Sequence, residues 1–203
     1  YLPARLLGGD SFDYGWIDDD HLWFHLIDVS GHGIRPALLS VSLHNVLRSG
    51  SLSSDPLLAP DKVLAELNLL FQMDQHDDHY FTMWYGIYEA STRTLRYSSA
   101  GTPPALAFNS APGQGVTTTE LNTEALPGGL FADTEFTTKS YVVPPGCRIL
   151  LYSDGAYELG LGDGRLLALS EFIRLCGEVA DAPDWSLDEL IGRLRDLASS
   201  RSF

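Results

Sequence analysis

The chain of 203 residues is 44% hydrophobic and 20% charged and carries a formal net charge of −14. Such a length can bury a sizeable core in one globular domain, and such a charge repels phosphate backbones and anionic lipid headgroups, so neither nucleic acid nor a membrane surface is the expected partner. Carboxylates that gather cations fit the same balance, and no apolar run reaches the roughly 18 residues of a membrane span.

Along the chain, HLWFHLIDV (21–29) is apolar and β-favouring and reads as a strand. Residues 34–50 read as a helix, with Ile34, Ala37, Leu38, Val41 and Val46 near the 3.6-residue period, Pro36 in the first turn and Gly50 as the stop. After a loop at 51–60, residues 61–73 form a second helix with Asp61 as N-cap. Two strands follow over 80–92 and 93–101, and the β pattern continues through a Gly/Pro turn over 102–121. Residues 134–155 add two strands around the PPG turn at 144–146, and helices close the chain near 169–180 and 186–199. Consecutive strands joined by turns, with helices in pairs, define an α+β fold with antiparallel sheets.

The short acidic clusters at 18–20 and 74–78 read as solvated loops, because such residues are rarely buried without partners. Cys147, in an apolar strand, and Cys176, in a helix, form neither a disulfide framework nor a CxxC pair and read as small buried hydrophobes. With no secretory signal visible, a reducing cytoplasm is the expected compartment. The chain begins at Tyr1 without Met and stops at Ser202-Phe203, so it is expected to be a piece of a longer protein.

Three acidic positions share a local grammar. Asp10 follows two glycines in LLGGDSFDY, Asp28 ends the strand LWFHLID before VSGHG, and Asp154 ends RILLYSD before Gly155. A carboxylate at the end of a buried strand is held rigidly, and an adjacent glycine leaves the backbone open to a ligand. Mg²⁺ and Mn²⁺ want such hard oxygen donors, and two ions sharing a carboxylate can activate water toward phosphorus. A Ca²⁺-binding reading is weaker, since the acidic clusters lack the spaced loop and closing Glu of an EF-hand.

GGDSFDY, DVSGHG running into a helix, FTMWYG, AGTPP and LLYSDGAYE occur in an order and spacing that resemble the SpoIIE/RsbU-type branch of the metal-dependent serine/threonine protein phosphatases, the PPM family, across nearly the whole chain. The resemblance implies a β-sandwich of two antiparallel sheets flanked by helix pairs, with residues 1–203 as a single catalytic domain. It implies that Asp28 bridges two Mn²⁺ or Mg²⁺ ions, that the Val29 carbonyl binds one and Asp154 the other, and that Asp10 is a ligand directly or through water. Asp28 and Asp10 are then the catalytic carboxylates. A metal-activated water hydrolyses phosphoserine or phosphothreonine on a regulatory protein, typically a STAS-type anti-anti-sigma factor. An upstream receiver or sensory domain is implied as well, and the helices at 34–50 and 61–73, expected to pair beside the metal loop, are where it would act.

Ser30 occupies the position at which eukaryotic members carry histidine. It is not a nucleophile, because the stretch is no GxSxG elbow and no base is placed for it. His32 is expected to support the loop. Thr102 replaces the histidine of the commoner AGHPP, at a structural turn. The family's further aspartate, in a pair opening a final strand, falls after LASSRSF, so that ligand and strand are expected to lie outside the chain. The alternative function is a non-catalytic regulatory module of the same fold, separated from the enzyme by a test for phosphate release with Mn²⁺ present.

Overall fold

The structure is a computed structural model that describes residues 8–49, 52, 59–111, 114–161, 164–182 and 185–199. In chain order its elements are β1 (Ser11–Trp16), β2 (His21–Val29), α1 (Ile34–Arg48), α2 (Pro60–Leu70), β3 (Phe81–Glu89), β4 (Thr94–Ala100), β5 (Ala105–Ala111), β6 (Gln114–Leu121), β7 (Lys139–Val142), β8 (Arg148–Leu150), α3 (Leu169–Ala180) and α4 (Leu187–Ser199). The α+β class with two antiparallel sheets is as the sequence predicts. The chain divides into two compact units, Tyr1–Pro104 with Leu121–Val143, and Ala105–Glu120 with Pro144–Phe203.

The first unit holds a five-stranded sheet in the order β1-β2-β3-β4-β7. Along β2 the burial alternates, with His25, Ile27 and Val29 buried and their neighbours half-buried, as the two-residue period of a strand requires. The central strand β3 is buried almost throughout from Phe81 to Ile87. Helix α1 lies on β1 and β2, and α2 on β3 and β4. Leu39, Leu43 and Leu47 of α1 share one core with Val63, Leu64 and Leu67 of α2, over Ile27, Val29, Met83 and Ile87. Each such side chain contributes about 1.5–3 kcal/mol by leaving water.

Several sequence expectations change here. The face of α1 read as apolar from Ile34, Leu38 and Val41 is exposed, and the Leu39/Leu43/Leu47 face is the buried one. This helix carries apolar residues on two sides, so periodicity alone does not choose between them. It ends at Arg48, and Gly50 lies outside the described residues. The N-cap of α2 is Ala59 with Pro60 in the first turn, not Asp61. Proline fits there because its missing N–H would have no helical partner anyway. Asp61 instead accepts a hydrogen bond from Thr138 Oγ1 at 2.7 Å. Strand β1 has no counterpart among the sequence expectations. Its alternation puts Phe12, Tyr14 and Trp16 on an exposed face, so it lacks the buried stripe that betrays most strands.

In the second unit the sheet order is β6-β5-β8, and Leu106, Phe108, Phe172, Cys176 and Val179 form the core. Cys176 is buried as expected, and burial pushes its thiol up to about 12. Cys147 is only half-buried and precedes β8 in a turn, where its N–H donates to the Pro144 carbonyl at 3.1 Å. The PPG turn does not join a hairpin. Strand β7 before it pairs with β4, whereas β8 after it pairs with β5.

Beneath α1 runs a polar row set by strand register. Asp13 pairs with His25, His25 with Tyr85, and Tyr85 with Ser98. Arg48 grips Asp13 with two nitrogens, Nη2 lying 2.8 Å from Oδ1. That fork holds the Asp13 carboxyl down at about 2. His25 is 1% exposed and its two ring nitrogens have no hydrogen-bond partner. It stacks between Trp23 and Tyr85, at centroid distances of 5.4 and 6.4 Å. Burial, reinforced by neighbouring His44, depresses its pKa to about 3.

Because that value lies below the unfolded one of about 6.5, the unfolded chain takes up the proton first. His25 therefore leaves stability undiminished above pH 6.5 and lowers it as pH falls from there toward 3. Between pH 7 and pH 5 the loss due to this one group is about 2 kcal/mol. A His25→Phe variant, which keeps the stacking but cannot ionise, should lose about 2 kcal/mol less over that interval. Urea unfolding of both proteins at the two pH values measures it, and equal losses would place the ionisation on another group.

Candidate metal centre

Strands β1 and β2 pair antiparallel with Ser11 opposite Ile27. Before Ser11, Gly9 lies against Val29, so the same register continued by one step would set Asp10 opposite Asp28. Residues directly opposed in an antiparallel pair send their side chains to the same face. Ile27 and Val29 enter the helix-covered core, so Asp28 between them projects from the other face of the sheet. The two carboxylates thus share one face at one end of the strand pair.

The Val29 carbonyl lies beside them. The Ser30 N–H donates to the Tyr80 carbonyl at 2.9 Å, on the β3 side. The peptide is trans, so the Val29 C=O points the opposite way, toward β1. Gly9 is the residue it meets there. A Cβ at position 9 would fall inside van der Waals contact of the Val29 oxygen, so glycine leaves the oxygen uncovered by a side chain. Two carboxylates and a carbonyl at one strand end form an all-oxygen donor set. That set fits Mg²⁺ or Mn²⁺ and has no soft ligand to favour another metal.

The loop after Val29 turns through Gly31 (φ 91°) and Gly33 (φ 104°), in the left-handed region that side chains disfavour, and α1 starts at Ile34. Ser30 is bound three ways. Besides its N–H, its Oγ accepts from the Tyr80 N–H at 3.0 Å, and its carbonyl lies 2.8 Å from His79 Nδ1. The Ser30 hydroxyl is thereby tied to the Tyr80 backbone. His32 is exposed, and its backbone forms a bridge with Gly8, tying the segment before Asp10 to the loop after Val29.

Asp154 belongs to the second unit. The sequence places it at a strand end, but β8 stops at Leu150 and Asp154 opens a short 3-10 turn, Asp154–Ala156. Its partner strand β5 starts just after Pro103-Pro104, which have no N–H to extend the ladder. The Asp154 carbonyl accepts from the N–H groups of Tyr157 and Glu158 at 3.0 and 2.9 Å, and the side chain is exposed. In the AGTPP turn, Gly101 (φ 61°) donates to the Ala125 carbonyl at 3.0 Å, which makes the stretch carrying Thr102 a structural turn.

Sequence reasoning misses His79 and Tyr80, whose link to Ser30 spans 49 and 50 residues and arises only from β2–β3 pairing. At the far end of β2, Asp20, His21 and Glu89 also lie close together. There Asp20 accepts from the Ser91 N–H and Oγ at 2.7 and 2.6 Å, and Asp18 accepts from the N–H groups of Asp20 and His21. These carboxylates cap turns, as the reading of 18–20 as a loop anticipates.

Residues 18–202 match the family described as Stage II sporulation protein E (SpoIIE). Phosphoserine phosphatase RsbP of Bacillus subtilis (strain 168) is 34% identical over 162 residues, covering 78% of this chain and 38% of RsbP, so the chain spans well under half of that relative. The crystal structure of the RsbU and RsbW domains of Rv1364c from Mycobacterium tuberculosis superposes with a TM-score of 0.66 at 29% identity, over 94% of this chain and 49% of that one. The PP2C phosphatase domain of SpoIIE from Bacillus subtilis, solved with a fragment of its regulatory domain, superposes with a TM-score of 0.70 over 97% of this chain and 56% of that one, at 18% identity. The fold is therefore that of the PP2C-type phosphatase domains. Within that class the chain belongs to the SpoIIE family.

The Gly9 contact gives a direct check on the strand-end geometry. Gly9→Ala should destabilise the protein by about 1–3 kcal/mol, as overpacking generally does, because the new methyl must push the Val29 carbonyl aside. Gly192 in α4, where a Cβ would meet nothing within 4 Å and the backbone is helical, serves as the comparison. Chemical denaturation of Gly9→Ala with a midpoint equal to wild type would show that the carbonyl is not confined there.

Proposed function

We propose that the parent protein of this chain hydrolyses phosphoserine or phosphothreonine on a regulatory protein of the STAS anti-anti-sigma type, in the cytoplasm, under control of an upstream receiver or sensory domain. The observation that carries this reading is the antiparallel register of β1 on β2, which continued by one step sets Asp10 across from Asp28, beside a Val29 carbonyl aimed away from β3. The family membership and the RsbP similarity support the reaction class.

In this reading Asp28, Asp10 and the Val29 carbonyl would hold Mn²⁺ or Mg²⁺ on the first unit, and Asp154 is proposed as a metal ligand as well. When bound, such ions supply Lewis acidity toward the phosphoryl oxygens and lower the pKa of a water. Asp28 places negative charge at the end of a strand whose neighbours are buried, so β2 fixes the backbone from which its carboxylate projects. The Gly8–His32 bridge closes the segment carrying Asp10 onto the loop, which keeps the two carboxylates in register. Ser30 orients backbone and does not attack. A cleft of about 320 Å³ between the edge of β1 and α1 is lined by Asp10, Ser11, Phe12, Val41 and His44, and a phosphorylated segment can approach Asp10 there.

Asp28→Ala in the parent protein should reduce Mn²⁺-dependent hydrolysis of p-nitrophenyl phosphate at least a hundredfold, with the circular dichroism spectrum kept. One side chain provides both the charge and the bridging position, so its loss removes both effects together. Turnover within tenfold of wild type would sink the assignment.

A further inference from the structure

We propose that His79 is a positioning residue for the metal loop, acting through Ser30 on the Val29 carbonyl. This rests on the reading of that carbonyl as a ligand. Two consecutive peptide planes meet at Ser30. The first, Val29–Ser30, is held by the Ser30 N–H on the Tyr80 carbonyl at 2.9 Å. The second, Ser30–Gly31, is held by the Ser30 carbonyl against His79 Nδ1 at 2.8 Å. A carbonyl can only accept, so Nδ1 carries the proton and donates. The Ser30 hydroxyl, accepting from the Tyr80 N–H at 3.0 Å, adds a third tie on the same side.

All three ties pull Ser30 toward residues 79–80. The trans peptide then sends the Val29 oxygen to the opposite side, where it meets Gly9, a residue with no side chain to press on it. Gly31 is needed here twice. Its φ of 91° makes the turn, and a Cβ there would stand 3.3 Å from His79 Cε1, so its bare backbone lets the imidazole lie against the loop.

His79 is half-buried and lines an open cleft of about 230 Å³ with Arg35 and Asp77. Truncating it therefore hollows no core. A residue that served only packing would show little effect on the loop, whereas a positioning residue would show it in metal affinity and in loop protection. Groups that orient metal ligands typically alter metal affinity 10–100-fold when removed. Asparagine can rescue, because its amide nitrogen can occupy much the same place as Nδ1 and donate in the same direction.

The test uses the parent protein with His79→Ala, His79→Asn and Asp28→Ala. Calorimetric Mn²⁺ titration should show affinity at least tenfold weaker for His79→Ala and within threefold of wild type for His79→Asn. In metal-free protein, hydrogen exchange at residues 30–33 should be at least tenfold faster in His79→Ala, with the 83–87 segment of β3 unchanged. The KM for p-nitrophenyl phosphate at saturating Mn²⁺ should stay within twofold of wild type in both His79 variants. Wild-type affinity and exchange in His79→Ala, or equal impairment of the Ala and Asn variants, would overturn the inference. Unchanged Mn²⁺ binding in Asp28→Ala would instead overturn the assignment of the site itself, so the two failures are distinguishable. If His79→Ala does not fold, the Asn variant decides alone, and tenfold weaker binding there counts against the inference.

Discussion

The peptide bond between Val29 and Ser30 is the constraint on which the candidate site depends. It is planar and trans, so fixing one end fixes the other. Strand β3 takes the Ser30 N–H through Tyr80, and β1 offers Gly9 to the Val29 oxygen on the far side. A strand between two neighbours usually satisfies both edges with ladder bonds. At this end the β1 side meets the Val29 oxygen with a glycine, which has no side chain to displace it. The left-handed turns at Gly31 and Gly33 follow from the same arrangement, since the chain must leave β2 and start α1 within four residues.

The strand that supplies Asp10 is the weakest part of the frame. It is an edge strand of six residues with its aromatic face exposed. What holds it is its other face. Ser11 receives a hydrogen bond from Ser40 at 2.9 Å, and Asp13 is gripped by Arg48, both from α1. Exposed ion pairs contribute little individually, but the Asp13 carboxylate is mostly covered and its partner binds with two nitrogens, a geometry that adds direction to the attraction. Helix α1 thus starts directly after the loop that follows Val29 and ends on the strand that follows Asp10.

The core under the helices is not uniformly apolar. His25, Tyr85 and Ser98 form a polar row across three strands, and His25 remains neutral there because charging it in the interior is unfavourable. Stability and site geometry therefore share one strand. Three residues before Asp28, β2 carries a group whose protonation opposes folding. Such a group is tolerated near neutral pH, where it stays uncharged, and sets an acid limit on the fold.

The sequence by itself determined the element types, the acidic positions beside glycines and the family resemblance, because these depend on local backbone preferences and short-range periodicity. Asp10, Asp28 and Asp154 are visible in it as carboxylates next to Gly9, VSGHG and Gly155. The fold class follows from the same local signals. Tertiary structure alone decided which face of α1 is buried, since Leu38 and Leu39 are equally apolar and only the sheet beneath selects one. It also revealed β1, whose alternation carries aromatics on an open face, and it ended β8 at Leu150 because a neighbouring strand begins after two prolines. It separated β7 from β8, which a turn signal joins. It brought His79 to Ser30 across 49 residues, through strand pairing that no local pattern encodes. Register is the common reason. Residues far apart in the chain meet only when strands align, and that alignment is set by the burial of whole faces rather than by any short stretch.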